Sequence, residues 1–323
     1  MKKSKSITTT NTTSVQLLNG TRLNMANALH CQIGLNPNSL LGDSFLSRGD
    51  GGILVGQSAV GKSTFALQMA CYLAIGKDFF GLKSTFGKPL KVLLVQSENG
   101  AEEVTEVLQS ITQHWSAKEK QQLESQLAVE IIWDSRGADF GKWLRNILPE
   151  HNPDLVIVDP LMSYLGADVL SNEAITKFLR ENINKVLKNP PVGCQSFGLL
   201  FVHHTGKPNS NGKKEEKPTR EARMYNMMGA SELVNWARCI MRIEAAPDRV
   251  RFFFLIPKRG NRTSLPLLPS ENEHGCLVQH SRPSTGSDKR SLRWEAAEIP
   301  VAINDRDLSR LPLKPASPDS VNP

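Results

Sequence analysis

Through the middle of the chain, short runs of consecutive apolar residues alternate with longer stretches in which apolar positions recur every three or four residues. The runs at 52–55, 92–96, 129–133, 155–159, 198–203, 238–243 and 250–256 predict strands, and the periodic stretches at 62–74, 101–114, 139–147 and 171–187 predict helices. Uninterrupted apolar runs suit strands covered on both faces, so the pattern implies an α/β fold: a mostly parallel central sheet with helices on both sides. The last two runs are separated by a short stretch holding Pro247 and Asp248, which reads as an antiparallel hairpin at the C-terminal sheet edge.

Outside that pattern the chain changes character. Residues 1–24 are rich in Ser, Thr and Asn and predict a disordered N-terminal tail, because they hold too little apolar area to offset ordering entropy. The α/β domain is expected over residues 25–261. Residues 262–323 hold eight of the nineteen prolines and predict a proline-rich, mostly irregular tail. With 39% hydrophobic and 22% charged residues, the composition is that of a globular protein. No apolar run nears the roughly 20 residues of a membrane span, and no secretory signal follows Met1, so a cytoplasmic location is the expectation. The five cysteines, Cys31, Cys71, Cys194, Cys239 and Cys276, are scattered without metal-ligand spacing and read as reduced structural thiols.

One segment carries specific chemistry. Gly56-Gln57-Ser58-Ala59-Val60-Gly61-Lys62-Ser63 fits G-x-x-x-x-G-K-[ST], with an apolar strand before it and a helix opening at Thr64 after it. Such a loop turns successive backbone N–H groups inward and adds the positive end of a helix dipole, which suits a triphosphate. ATP with Mg²⁺ is the expected ligand pair: Gly56 to Thr64 cradle the phosphates, Lys62 bridges the outer two, and Ser63 holds the metal. A second metal-side group needs an apolar strand ending in an acid, and Leu155-Val156-Ile157-Val158-Asp159 supplies it. Pro160 follows, so the adjacent position offers no carboxylate to orient water. Glu98, just beyond the strand at 92–96, is the candidate for that task. His203 and His204 end another strand, and adjacent strand positions face opposite sides, so at most one should face a nucleotide.

In order and spacing, Leu46-Ser47-Arg48-Gly49, the phosphate loop, Gln96-Ser97-Glu98, Val158-Asp159-Pro160-Leu161, His203-His204-Thr205-Gly206-Lys207 and Gly229-Ala230-Ser231-Glu232-Leu233 resemble the RecA-like P-loop ATPases. They resemble in particular the branch holding the RepA-type hexameric plasmid replicative helicases. The resemblance covers roughly residues 40–260. It implies that Glu98 activates water, that His204 senses the outer phosphate, and that subunits form a homo-oligomeric ring in which a neighbour's cation completes each site. That branch places an arginine where this chain has Met228, so Arg238 and the pair Lys258-Arg259 are the remaining candidates for the interface cation.

The formal net charge is +7, yet the tails leave the middle of the chain only about +3, and residues 205–223 account for that excess with six basic and three acidic residues. Lys207, Lys213, Lys214, Lys217, Arg220 and Arg223 are therefore candidate contacts to single-stranded DNA through residues 207–223. These features predict an ATP-hydrolysing motor, a DNA helicase or DNA-dependent ATPase of plasmid or mobile-element replication. A nucleotide-dependent regulatory or assembly protein without unwinding activity is the alternative. A small-molecule kinase is disfavoured because no lid segment with paired arginines is readable.

Overall fold

The computed structural model describes residues 14–17, 20–30, 36–205, 219–225, 231–248, 250–281 and 292–298. Two units divide the chain, Met1–Pro37 and Asn38–Pro323. In the first, β1 (Ser14–Leu17) pairs antiparallel with β2 (Gly20–Leu23), and α1 (Met25–His30) follows. Within the span expected to be disordered, residues 14–17 and 20–23 instead form a four-pair ladder, which satisfies backbone groups locally without demanding a large core, while residues 1–13 lie outside the described residues.

In the second unit, a ribbon of β3 (Ser39–Leu41) and β4 (Leu46–Ser47) leads into β5 (Gly51–Gly56) and α2 (Lys62–Ala74). Then come β6 (Val92–Gln96), α3 (Ala101–Thr112), α4 (Ala117–Gln126), β7 (Leu127–Ile131), α5 (Gly137–His151) and β8 (Leu155–Asp159). Next, α6 (Leu161–Leu165) precedes a continuous helical rod made of α7 (Asn172–Thr176), a π-helical stretch (Lys177–Ile183) and α8 (Asn184–Lys188). The chain continues through β9 (Gly198–His204), α9 (Arg220–Tyr225), α10 (Ser231–Trp236), β10 (Cys239–Ala245) and β11 (Arg251–Lys258). It closes with β12 (Leu267–Leu268), β13 (Glu273–His280) and β14 (Trp294–Ala296).

The main sheet has the order β12-β13-β11-β10-β5-β9-β8-β6-β7, with β14 on β13. Strands β10, β5, β9, β8, β6 and β7 run parallel, while β11 to β14 are antiparallel. Alternate residues of each parallel strand feed two separate cores. Leu54, Val92, Leu94, Leu155, Ile157, Leu200 and Val202 pack with α2 and its Phe65, whereas Ile53, Val55, Leu93, Val95, Val156, Val158, Leu199 and Phe201 pack with Phe140, Tyr164 and Phe178. Period-two alternation sends neighbours to opposite faces, so the strands read as unbroken apolar runs.

The predicted hairpin is present as β10–β11, but the edge lies further out. Residues beyond 262, expected as mostly irregular, add β12, β13 and β14. Prolines flank this segment without interrupting Glu273–His280, whose backbone donors remain available for pairing with β11. Unpredicted α4 has no buried residue, so apolar periodicity could not announce it. It is nonetheless opened by a capping box, Ser116 with Glu119.

Candidate nucleotide site

Parallel pairing aligns the carboxyl ends of four strands. Gly56 pairs with His204, Val158 with Phe201 and Gln96 with Asp159, so the residues that follow these strands emerge along one sheet edge. That edge is where open α/β sheets bind ligands.

The loop after β5 keeps a phosphate-binding backbone. Gly61 has φ +84° and Ala59 φ 64°, and the left-handed conformation at Gly61 is what a glycine tolerates without strain. A Cβ at Gly56 would meet the Ile243 carbonyl oxygen at 3.0 Å and Val60 Cγ2 at 3.2 Å, so the close approach to β10 leaves little room for a side chain there. Lys62 is 6% exposed, and its Nζ donates to the Gln57 carbonyl at 2.6 Å. Burial lowers its pKa, while Asp159 and Glu98 pull it back up.

Asp159 is buried at the end of β8 and hydrogen-bonded to Ser63. Its carboxyl is pushed up to about 6, first by burial and further by Glu98, against the Ser63 bond and Lys62. A buried carboxylate paired with a hydroxyl at the mouth of a phosphate loop, and costly to ionise alone, fits a divalent cation. Ser63 and Asp159 are the residues that would hold Mg²⁺. Among the described residues, no group of three or more His, Cys, Asp or Glu is placed to hold a metal ion.

Glu98 is exposed in the loop after β6 and is electrostatically coupled to Lys62, Asp159, Tyr164 and His204. His204 is partly buried, with Nδ1 3.4 Å from Ser58 Oγ. Burial first, then Lys62, lower its pKa against the opposing pull of Glu98, favouring the neutral ring. His203 is fully buried, so one histidine of the pair faces the loop, as strand alternation requires. Tyr164 was not expected from sequence. It stacks on Phe140 at 4.4 Å and donates its hydroxyl to the Ile132 carbonyl at 3.4 Å, within electrostatic reach of Asp159 and Glu98. An aromatic about one helical turn past the acid strand would have been its only sequence signal.

Arg238 does not join this cluster within its own chain. It precedes β10, its N–H donates to the Gly51 carbonyl at 2.7 Å, and Cys239 pairs with Gly52, so it sits at the amino edge of the sheet. The length of β5, on the order of 17 Å, separates it from the phosphate loop. Lys258 pairs with Ile240 at the same edge and is tied to the Val234 and Ala237 carbonyls. Arg259 lies there also, 4.0 Å from Asp50, while Arg238 stands 3.7 Å from the same acid and is exposed. Any contribution from this edge to phosphate chemistry would have to be made to another subunit.

Arg223, expected as a DNA contact, is instead turned inward. Its side chain is 3% exposed and is held by Glu244, Glu271 and Glu273. The remaining DNA candidates, Lys207, Lys213, Lys214, Lys217 and the Arg220 side chain, lie outside the described residues, as does Met228.

Together the topology and the loop define an α/β P-loop NTPase fold. The chain matches the AAA domain family over residues 28–210, more than half its length, and belongs to that family. Among solved structures it is similar to a KaiC-like protein from the hyperthermophilic archaeon Pyrococcus horikoshii, at 16% identity over 77% of this chain and 96% of that one, with a TM-score of 0.45. No curated protein matches it. No helix among the described residues is long and apolar enough to cross a membrane.

Proposed function

We propose that the chain binds MgATP at the loop Gly56–Thr64, hydrolyses it, and works as a DNA-dependent motor of the helicase type in a homo-oligomeric ring. The observation that carries the catalytic part is the convergence of Lys62, Ser63, Asp159, Glu98 and His204 at one sheet edge. Loop amides and Lys62 bind the triphosphate and stabilise charge on its outer group. Mg²⁺, when bound, supplies further neutralisation of phosphate charge. Glu98, exposed over the cluster, accepts a proton from the attacking water, which it orients in line with the bond to be broken. Neutral His204 links that end of the site to β9, whose continuation leads into the basic residues 207–217. Arg238, at the opposite edge, is the cation that would reach a neighbour's nucleotide.

Single-stranded DNA as partner rests on the charge of residues 207–220 alone, now without Arg223. A nucleotide-dependent assembly protein is the second reading, favoured by that reduction. Two measurements decide between them. Mass of the assembly with and without ATP and single-stranded DNA should show a nucleotide-dependent ring, and strand displacement should be present in the intact chain and absent in Lys62→Ala. ATP turnover with no response to DNA and no displacement would leave the assembly reading.

A further inference from the structure

The C-terminal strands reach back to the phosphate loop. His280 at the end of β13 and Trp294 at the start of β14 are register partners, and their rings lie 3.9 Å apart. Trp294 also packs on Phe65 of α2 at 5.4 Å and on Phe252 at 5.2 Å. Its backbone is pinned by the buried side-chain amide of Gln68, which donates to the Trp294 carbonyl at 2.8 Å and accepts from its N–H at 2.6 Å. From this fixed position the indole Nε1 donates to the Gly61 carbonyl at 3.3 Å, beside the helical bond that the same oxygen accepts from Phe65 N–H at 2.9 Å. The imidazole of His280 is hydrogen-bonded to the backbone of Val60. Both rings crowd the loop closely enough that a Cβ on Gly61 would stand 2.7 Å from His280 Cε1 and 3.2 Å from Trp294 Cζ2.

In a planar trans peptide the carbonyl of one residue and the N–H of the next point in opposite directions. Tying the Val60 carbonyl outward therefore aims the Gly61 N–H inward, and tying the Gly61 carbonyl does the same for the N–H of Lys62. We propose that His280 and Trp294 are positioning residues of the phosphate loop, holding these two carbonyls so that the amides of Gly61 and Lys62 are preorganised for a polyphosphate. This rests on the nucleotide reading above and adds to it a role for β13 and β14. Neither ring needs to touch the base or the reacting atoms.

The test compares binding of ATP and of inorganic tripolyphosphate, both with Mg²⁺, to the full chain and to Trp294→Phe, His280→Ala and His280→Gln. Phenylalanine keeps the ring packing and removes the donor, and glutamine restores a donor. With each net hydrogen bond worth roughly 0.5–1.5 kcal/mol, Trp294→Phe and His280→Ala should weaken both ligands by about three- to tenfold. KM for ATP should rise while kcat is retained, His280→Gln should recover part of the loss, and the thermal midpoint of Trp294→Phe should stay near that of the parent. Unchanged affinity in folded variants would overturn the proposal. Loss of ATP binding with tripolyphosphate unaffected would overturn it too, in favour of a ring that contacts the base. If the unsubstituted chain bound neither ligand, the nucleotide reading itself would fall, a result visible without any variant.

Discussion

Glu98 and Asp159 are two carboxylates at neighbouring strand ends, and their surroundings differ. Glu98 is exposed and feels the charges of Lys62, Asp159 and His204, which fits the water-orienting role proposed for it. Replacing it by glutamine should lower ATP turnover by at least about a hundredfold, the usual contribution of a positioned base, with nucleotide affinity retained. Single-turnover hydrolysis alongside equilibrium binding would expose a parallel loss of both, which would remove Glu98 from the chemistry. Asp159 is buried and its carboxyl sits near 6 instead of 3.8, so the folded chain holds that proton more tightly than the unfolded one. The stabilisation this gives is complete below pH 3.8 and is lost as pH rises through about 6. The difference is on the order of 3 kcal/mol. In chelator, the metal-free chain should therefore lose stability across that window, and Asp159→Asn should flatten the loss and unfold later at neutral pH. Denaturation midpoints against pH check this; an unchanged slope in the variant would assign the pH dependence to other groups.

At the level of elements, α9 shows how a surface reading of charge can mislead. Arg223 belongs to a basic stretch of the chain, yet it turns inward and meets Glu244 on β10 at 3.5 Å, Glu273 on β13 at 3.1 Å, and Glu271. Arg242 completes the network, donating to the Arg223 carbonyl at 3.0 Å and to Glu244 at 2.8 Å. Since Arg242 pairs with Val55, the network fastens α9 beside the strand that carries the phosphate loop. Removing the guanidinium strands buried carboxylates, so Arg223→Ala should cost about 3–5 kcal/mol of stability, seen as an earlier urea midpoint. If Arg223 instead served DNA, the same variant would keep its midpoint and change only the salt dependence of binding. The acids that recruit it lie 21 to 50 residues away, beyond the reach of any local pattern. Helices such as α2 were legible because flanking apolar runs and a glycine start fixed both ends, whereas α4 was signalled only by its cap.

For the molecule as a whole, the strands beyond residue 262 decide how the sheet ends. β13 covers the eight-residue β11, and Trp294 completes an aromatic cluster in which Phe65 lies 4.8 Å from Phe79 and 5.0 Å from Phe254. A chain ended after residue 265 would bare both a long unpaired strand and those rings. It should be recovered aggregated or with a much lower thermal midpoint, measurable by size exclusion and scanning calorimetry; a stable monomeric product would make the C-terminal strands dispensable. The sequence by itself determined the parallel core and the phosphate loop, because apolar runs, period-two alternation and a glycine-lysine spacing are local properties that physics reads over a few residues. Only the tertiary structure decided that Arg238 stands a full strand away from its own loop, that Arg223 is a buried tie, and that His280 and Trp294 return to Val60 and Gly61. Those outcomes depend on strand order and register, which bring together residues up to 233 positions apart and leave no trace in local pattern.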